Sequence, residues 1–273
     1  MGRRTHNWSA TGLFFVCAFT PAVFAADPPK DLEVATLTSG QLTVCTYGGF
    51  APVSYKDANG ALVGYDISFL EQFAKRLNLS LSVRHFPFDG LWTLPASGRC
   101  DVAAAGIMKR EDRPVGAGGA WSDAYFTVQR SLLVRATDLA DFRDPKVIRD
   151  KVIVVTRGST AEIDAKLRYP ESKIEYVDEI VPDEHSDNVQ LFVVQSLLAK
   201  KRIDAFEEGD VSNEYLQKKF NNSVAGGLAV ADVHHIEGGR ETFNFIVRTE
   251  STGIREALNA FIEDKGNTYG LTP

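Results

Sequence analysis

The sequence predicts an α/β fold of two lobes, each a mainly parallel sheet flanked by helices. Two observations carry this. Short apolar runs of strand length alternate with amphipathic stretches of helical period, the pattern of sheets covered by helices. The order strand, loop, helix, strand also occurs twice, on either side of the polar stretch Thr137–Asp150. A third observation gives the lobes a purpose. Residues suited to holding a small anion fall on loops at the carboxyl ends of the apolar runs, where open α/β sheets keep their ligand crevice.

Taken in order, Leu42–Thr46 is a β-rich run ending in the loop Tyr47–Pro52. Asp57-Ala58-Asn59-Gly60 carries the Asn-Gly signal of a hairpin. Asp66 stands where an N-cap would, and Ile67, Phe69, Leu70, Phe73, Ala74 and Leu77 follow at helical spacing. Leu79–His85 is a strand, and Phe88-Asp89-Gly90-Leu91 is an aromatic loop entering a short helix. The polar turn Gly98–Asp101 enters a buried strand, Val102–Ala105, and Arg113 follows the charged loop Lys109–Asp112. In the second block, Val152–Val155 opens into Arg157-Gly158-Ser159-Thr160 and a helix through Leu167. Ile174–Val177 is a strand, Asn188–Lys200 is helical by period, and Ile203–Phe206 is a strand. Gly209-Asp210 precedes a helix over Val211–Lys219; Thr242–Val247 reads as a strand like those of the first block, and Ile254–Asp264 as a helix ending at Gly266. The chain thus divides into lobe 1, residues 40–136 plus 240–273, and lobe 2, residues 137–239. Two crossings give a hinge and a cleft.

The first 25 residues read as a cleaved secretory signal. Arg3 and Arg4 give the positive start, Leu13–Phe19 the short apolar core, and Val23-Phe24-Ala25 the cleavage site. Cys17 sits within the apolar core with no small residue before it, which does not fit a lipoprotein signal. The longest later apolar run, Val189–Ala199, is too short and too polar to span a membrane. Removing residues 1–25 takes away two arginines and no acids, so the 248 residues left carry 28 − 36 = −8. That balance excludes a basic face for displacing phosphate counterions, and no nucleic-acid partner is expected. Cys45 and Cys100 remain. Their even number invites a disulfide in an oxidising compartment. Parallel register argues the other way, since straight neighbouring strands would set them beyond the roughly 7 Å Cα limit for a bridge. No metal-ligand spacing occurs: His234 and His235 are sequential and read as loop histidines. No cofactor is expected.

The order and spacing of Phe88-Asp89-Gly90-Leu91, Gly98, Asp101, Ala105-Gly106, Arg113, Gly158-Ser159-Thr160 and Gly209-Asp210 resemble the extracytoplasmic solute-binding proteins of family 3, the polar amino acid ABC-transporter type. The resemblance covers about Leu42 to Tyr269. It implies a type II periplasmic binding protein-like fold, a periplasmic monomer, an amino acid-like ligand and the membrane permease of an ABC transporter as partner. It also implies roles for particular residues. Arg113 pairs with the ligand carboxylate, a planar fork meeting a planar group. Thr160, with Ser159 at the same strand-to-helix turn, clamps that carboxylate from lobe 2. Asp210 receives the ligand ammonium, although one extra residue after Asp204 leaves Glu208 as the alternative. Phe50 and Phe88 sandwich the ligand side chain, with Gly106 beside them. Two positions depart from the family. Tyr47 stands where binders of basic amino acids carry an acid, and Met108 where a hydroxyl usually donates, so an apolar, modified or bulkier ligand is favoured.

Two further functions share this framework. One is an accessory or sensor binding protein for a periplasmic system. The other is a cyclohexadienyl dehydratase-like enzyme, for which the neighbourhood Asp210-Val211-Ser212-Asn213 lacks the acid, though Glu214 is adjacent. The reading adopted is a binding protein without catalytic residues.

Overall fold

The computed structural model describes residues 2, 33–182, 189–236 and 240–265. The leader with its Ala25 site, the start of the 188–200 helix and Gly266 lie outside them.

Lobe 1 begins with β1 (Gln41–Thr46), buried along all but its first residue. A small antiparallel ribbon follows: β2 (Gly49–Phe50), β3 (Ser54–Lys56) and β4 (Leu62–Val63). The expected hairpin joins β3 to β4, with the Asp57 carboxylate accepting the N–H groups of Asn59 and Ala61. Next come α1 (Tyr65–Arg76), β5 (Ser80–His85), a single 3₁₀ turn at Leu91–Thr93, β6 (Val102–Ala104) and β7 (Gly119–Val128). Asp66 does not cap α1. Gly64 precedes the helix at φ 127, where a Cβ would meet the Val53 carbonyl at 2.4 Å. Asp66 instead lies buried in the first turn.

Lobe 2 contains β8 (Arg130–Arg135), β9 (Val152–Val155), α2 (Thr160–Arg168), β10 (Lys173–Tyr176), α3 (Val177–Ile180) and α4 (Val189–Phe192), which runs on into a π turn, Val193–Leu198. It continues with β11 (Ala205–Gly209), α5 (Asp210–Phe220) and β12 (Leu228–His234). The chain returns to lobe 1 for β13 (Glu241–Arg248) and α6 (Ile254–Lys265).

The two sheets have the orders β5-β1-β6-β13-β7 and β10-β9-β11-β8-β12. In each, four strands share a direction and one is reversed: β13 in lobe 1, β8 in lobe 2. Each reversed strand is the one that enters from the other lobe. The sheets are therefore mixed, and mainly parallel apart from the crossing strands. The first crossing is at Gln129, between β7 and β8, rather than near residue 137 as the polar stretch suggested. The apolar run Arg130–Arg135 belongs to the second sheet; Thr137–Asp150 is a peripheral connection after it.

Equivalent carboxylates brace both lobes. Asp101, just before β6, accepts the Thr43 N–H, while its own N–H donates to the Thr43 carbonyl. Asp204, just before β11, makes the same exchange with Val152 at the start of β9. The chain bends at Cys100–Asp101 and folds over β1. Cys45 and Cys100 consequently lie 5.8 Å apart at Cα and form a disulfide. The register argument assumed a straight strand through Cys100, and the bend removes that premise.

Lobe 1 packs an aromatic core. Tyr125 stacks on Phe245 at 4.2 Å, and Phe69 meets Phe261 edge-on at 4.9 Å. Each such side chain contributes roughly 1.5–3 kcal/mol on burial. Lobe 2 is mainly aliphatic on both faces of its sheet, Val154, Val193, Leu198 and Leu216 with Phe206 on one, Ile153, Val155, Ala161 and Ala165 with Phe142 and Tyr169 on the other.

Candidate functional site

With the lobes in contact the cleft holds a small cavity of about 20 Å³, room for a water and well short of an amino acid. Lobe 1 lines it with Tyr47, Phe50, Phe88, Ala105, Gly106, Met108 and Phe243; lobe 2 with Arg130, Thr156, Ser159, Thr160 and Glu208. Seven of the nine residues expected from the sequence are on this wall; Arg113 and Asp210 are not.

The lobe 1 wall is set by a strained turn. Ala105 has φ 157 and Gly106 φ 57, directly after β6. The Gly106 N–H donates to Asp66 at 2.9 Å, and the Tyr125 hydroxyl donates to the other oxygen of that carboxylate at 2.7 Å. A Cβ at Gly106 would strike the Phe50 ring at 2.6 Å, so only glycine lets the ring close on the turn. Phe50 meets Phe243 edge-on at 5.8 Å, and Tyr47 meets Phe88 at 5.9 Å. Burial, followed by the nearby Glu208, pushes the Tyr47 phenol up, so it is a neutral donor.

The lobe 2 wall is the start of α2. The Ser159 hydroxyl accepts the Glu162 N–H, and the Glu162 carboxylate accepts the Gly158 N–H at 2.7 Å, a reciprocal cap. The Thr160 hydroxyl accepts from Arg110 of lobe 1 at 3.4 Å.

Arg113 lies just behind the wall and joins the lobes. It is 2% exposed, donates to the Met108 carbonyl at 2.8 Å and, across the cleft, to the Gly158 carbonyl at 2.6 Å. Its guanidinium lies over Trp92 at 4.5 Å, a contact the sequence reading did not name. Burial, with Arg110 adding to it, lowers its pKa to about 9. A second link closes the other side. Ala51 donates its N–H to Gln190 at 2.9 Å and accepts at its carbonyl from Ser212 at 2.7 Å. The lobes are thus in contact, and entry to the cavity requires them to part.

Asp210 has another task. Its carboxylate accepts the N–H groups of Gln129 and Val211, and so ties the first crossing to α5. The extra residue after Asp204 carries Asp210 past the end of β11 and onto the helix. Of the two carboxylates the sequence offers for an ammonium group, Glu208 lines the cavity and Asp210 does not. Glu208 accepts from Arg130 Nη1 at 3.4 Å and from the Gly209 N–H at 3.0 Å, both on Oε1.

Arg130 was missed because it lies in a segment to which the sequence reading assigned no element or motif, and a single arginine there carries no signal. It is 1% exposed, with Nε 3.0 Å from Glu241 at the return crossing. Burial works against its charge, but Glu241, Glu208 and Glu207 outweigh burial and hold it positive. Burial raises Glu208, and raises Glu241 to about 7, with Arg130 opposing in both. Asn213 is buried and donates to Ser131 and Phe206, and Glu214 is exposed, so neither faces the cavity. Among the described residues no cluster suits a metal ion, and no helix is long and apolar enough to cross a membrane.

Residues 42–268 match the sequence profile of the bacterial extracellular solute-binding proteins, family 3. The histidine-binding periplasmic protein of Salmonella typhimurium is 28% identical over 270 residues, covering 95% of this chain and 93% of that one. The probable histidine-binding protein of Neisseria gonorrhoeae is 26% identical over 157 residues, 57% of either chain. Among solved structures, an ancestral arginine-binding protein bound to arginine is similar with a TM-score of 0.66. It is 26% identical, and the match covers 85% of this chain and 95% of that one.

Proposed function

The chain belongs to the bacterial extracellular solute-binding proteins of family 3, and we propose that it captures a small amino acid-like carboxylate for delivery to the permease of an ABC transporter. Its relatives are solute-binding proteins rather than catalytic enzymes, and they act outside the cytoplasm. One observation carries the reading of the ligand. A single cavity combines aromatic faces from lobe 1 with the start of α2 and Glu208 from lobe 2, so one solute would touch both lobes.

The carboxylate suits the start of α2, where the cap leaves the N–H groups of Thr160 and Ala161 and the helix dipole favours an anion. Arg113 supplies a charged fork beside it. In the closed lobes it donates to the Gly158 carbonyl, and an arriving carboxylate takes over that donor. Glu208 receives the ammonium group, while Tyr47, Phe50, Phe88 and Phe243 enclose the side chain. The relatives are named for histidine and arginine. Tyr47 puts a neutral phenol where an acid would suit a basic side chain, so the solute class is left at amino acid-like rather than basic. Opening breaks the Arg113 and Ala51 links, and the solute's contacts with both lobes favour closure. The protein acts as a periplasmic monomer whose leader is removed near Ala25; mass measurement on envelope protein should show a chain starting near Ala26.

A thermal-shift screen of the purified protein against amino acids, amines and carboxylates tests the reading, since a ligand bound by the folded state raises apparent stability. Zwitterions with a free carboxylate should raise the midpoint, and esters of the same compounds should not. A screen in which no carboxylate shifts the midpoint overturns it.

A further inference from the structure

We propose that Arg130 reads the solute directly, its Nη2 donating to an uncharged oxygen on the solute's side chain. This rests on the capture reading above and narrows its solute class to one bearing a carbonyl or carboxamide oxygen.

Three observations meet at this guanidinium. It is on the cavity wall and 1% exposed. The two carboxylates hold the group in place: Nη1 donates to Glu208 at 3.4 Å, and Nε lies 3.0 Å from Glu241 as an ion pair without hydrogen-bond geometry. Nε and Nη2 are both buried without a hydrogen-bond partner, and Nη2 is the one beside Gly209. A buried donor left unmade carries a desolvation cost, which an incoming acceptor removes. Gly209 keeps that donor open, for a Cβ there would stand 3.3 Å from Nη2 and 3.7 Å from the Phe50 ring.

The charge of the acceptor follows from the same cluster. Arg130 already faces two carboxylates, Glu208 and Glu241. A third, brought by the solute, would meet like charges at a cation with no positive charge to spare. A carbonyl or carboxamide oxygen accepts the hydrogen bond without that repulsion.

The test is calorimetric titration of the purified protein with L-glutamine, L-glutamate and L-norleucine, side chains of similar length. A hydrogen bond to a charged donor corresponds to roughly 10- to 100-fold in affinity. Glutamine should bind at least about 10-fold more tightly than norleucine, and glutamate more weakly than glutamine. Arg130→Lys keeps a cation between the glutamates but loses the fork. It should bring glutamine down to the affinity of norleucine and leave norleucine within about threefold. Because a buried arginine is being replaced, thermal midpoints are recorded for each protein, and the paired variant Arg130→Met with Glu241→Met repeats the titration with the charges balanced. Equal binding of glutamine and norleucine by the parent, or a glutamine preference that survives both variants, overturns the proposal. Glutamate binding as tightly as glutamine overturns the uncharged acceptor. If other amino acids without a side-chain oxygen bind while glutamine does not, this inference falls and the capture reading stands; if no amino acid binds, both fall.

Discussion

The two lobes share a brace and differ in what they bury. Asp101 and Asp204 occupy equivalent positions, each exchanging hydrogen bonds with a parallel neighbouring strand of its lobe, Asp101 with β1 and Asp204 with β9. Asp101 is fully buried and also accepts from the Leu37 N–H and the Ser251 hydroxyl. Asp204 is partly exposed and shares its load with the Arg135 guanidinium. The same contrast runs through the cores. Lobe 1 buries stacked aromatics and a disulfide. Both lobes bury charge, with Asp66, Asp101 and Arg113 in lobe 1, but lobe 2 and the hinge cluster it: Arg130 between Glu208 and Glu241, and Glu207 against Asp164, where burial and then that neighbour hold the Glu207 carboxyl well above its usual range. Buried pairs add little net stability compared with apolar packing. Lobe 1 thus spreads its buried charges singly through aromatic packing, while lobe 2 and the hinge gather theirs into clusters near the cleft.

The comparison breaks most visibly at Arg130. Arg130→Met strands Glu208 and Glu241 and should cost about 3–5 kcal/mol in urea unfolding. Breaking the Cys45–Cys100 link by a double serine substitution, which opens a loop with a separation of 55 residues, should cost about 2–4 kcal/mol. A smaller effect separates the two braces. Asp101→Ala orphans two buried donors and one part-buried donor and should cost about 2–3 kcal/mol, against about 1–2 for Asp204→Ala, because Arg135 keeps Asp138 and the carbonyls of Leu198 and Ile203. An Asp204→Ala cost equal to or above that of Asp101→Ala would remove the distinction.

The mildest effect is on pH dependence. Burial raises Asp66 and Glu241 each to about 7 in the folded chain. Between the ordinary carboxylate range and that value the folded state keeps protons that the unfolded state has lost. These two groups therefore make stability fall as pH rises through that window. Asp66→Asn and Glu241→Gln should each flatten the fall measured by chemical unfolding across it; an unchanged slope in both contradicts the assignment.

Much of this was legible in the chain. Helical spacing from Ile67 to Leu77 gave α1, and the apolar runs gave the inner strands, because core periodicity is a local property. The aromatic and helix-start residues of the cavity were legible for the same reason: Phe50, Phe88, Ser159 and Thr160 follow closely after those runs. What failed was non-local. Arg130–Arg135 has the composition of either sheet, so the crossing at Gln129 carried no mark. One added residue before Asp210 puts it at the start of α5, off the cavity wall that Glu208 lines. Asp66 has the residue type of a cap but is held by Gly106 and Tyr125, far along the chain. The disulfide depended on a bend, and Arg130 became significant only once Glu241 reached it from the second crossing.

The central claim, that two lobes close on a carboxylate held at the start of α2, is tested most directly at Arg113. A zwitterion found by the thermal screen is titrated calorimetrically into the parent and Arg113→Ala, with folding checked by circular dichroism. The account predicts a folded variant that loses about 2–5 kcal/mol of binding, with Arg113→Lys recovering only part because a point charge replaces the fork. Unchanged affinity in Arg113→Ala would contradict it.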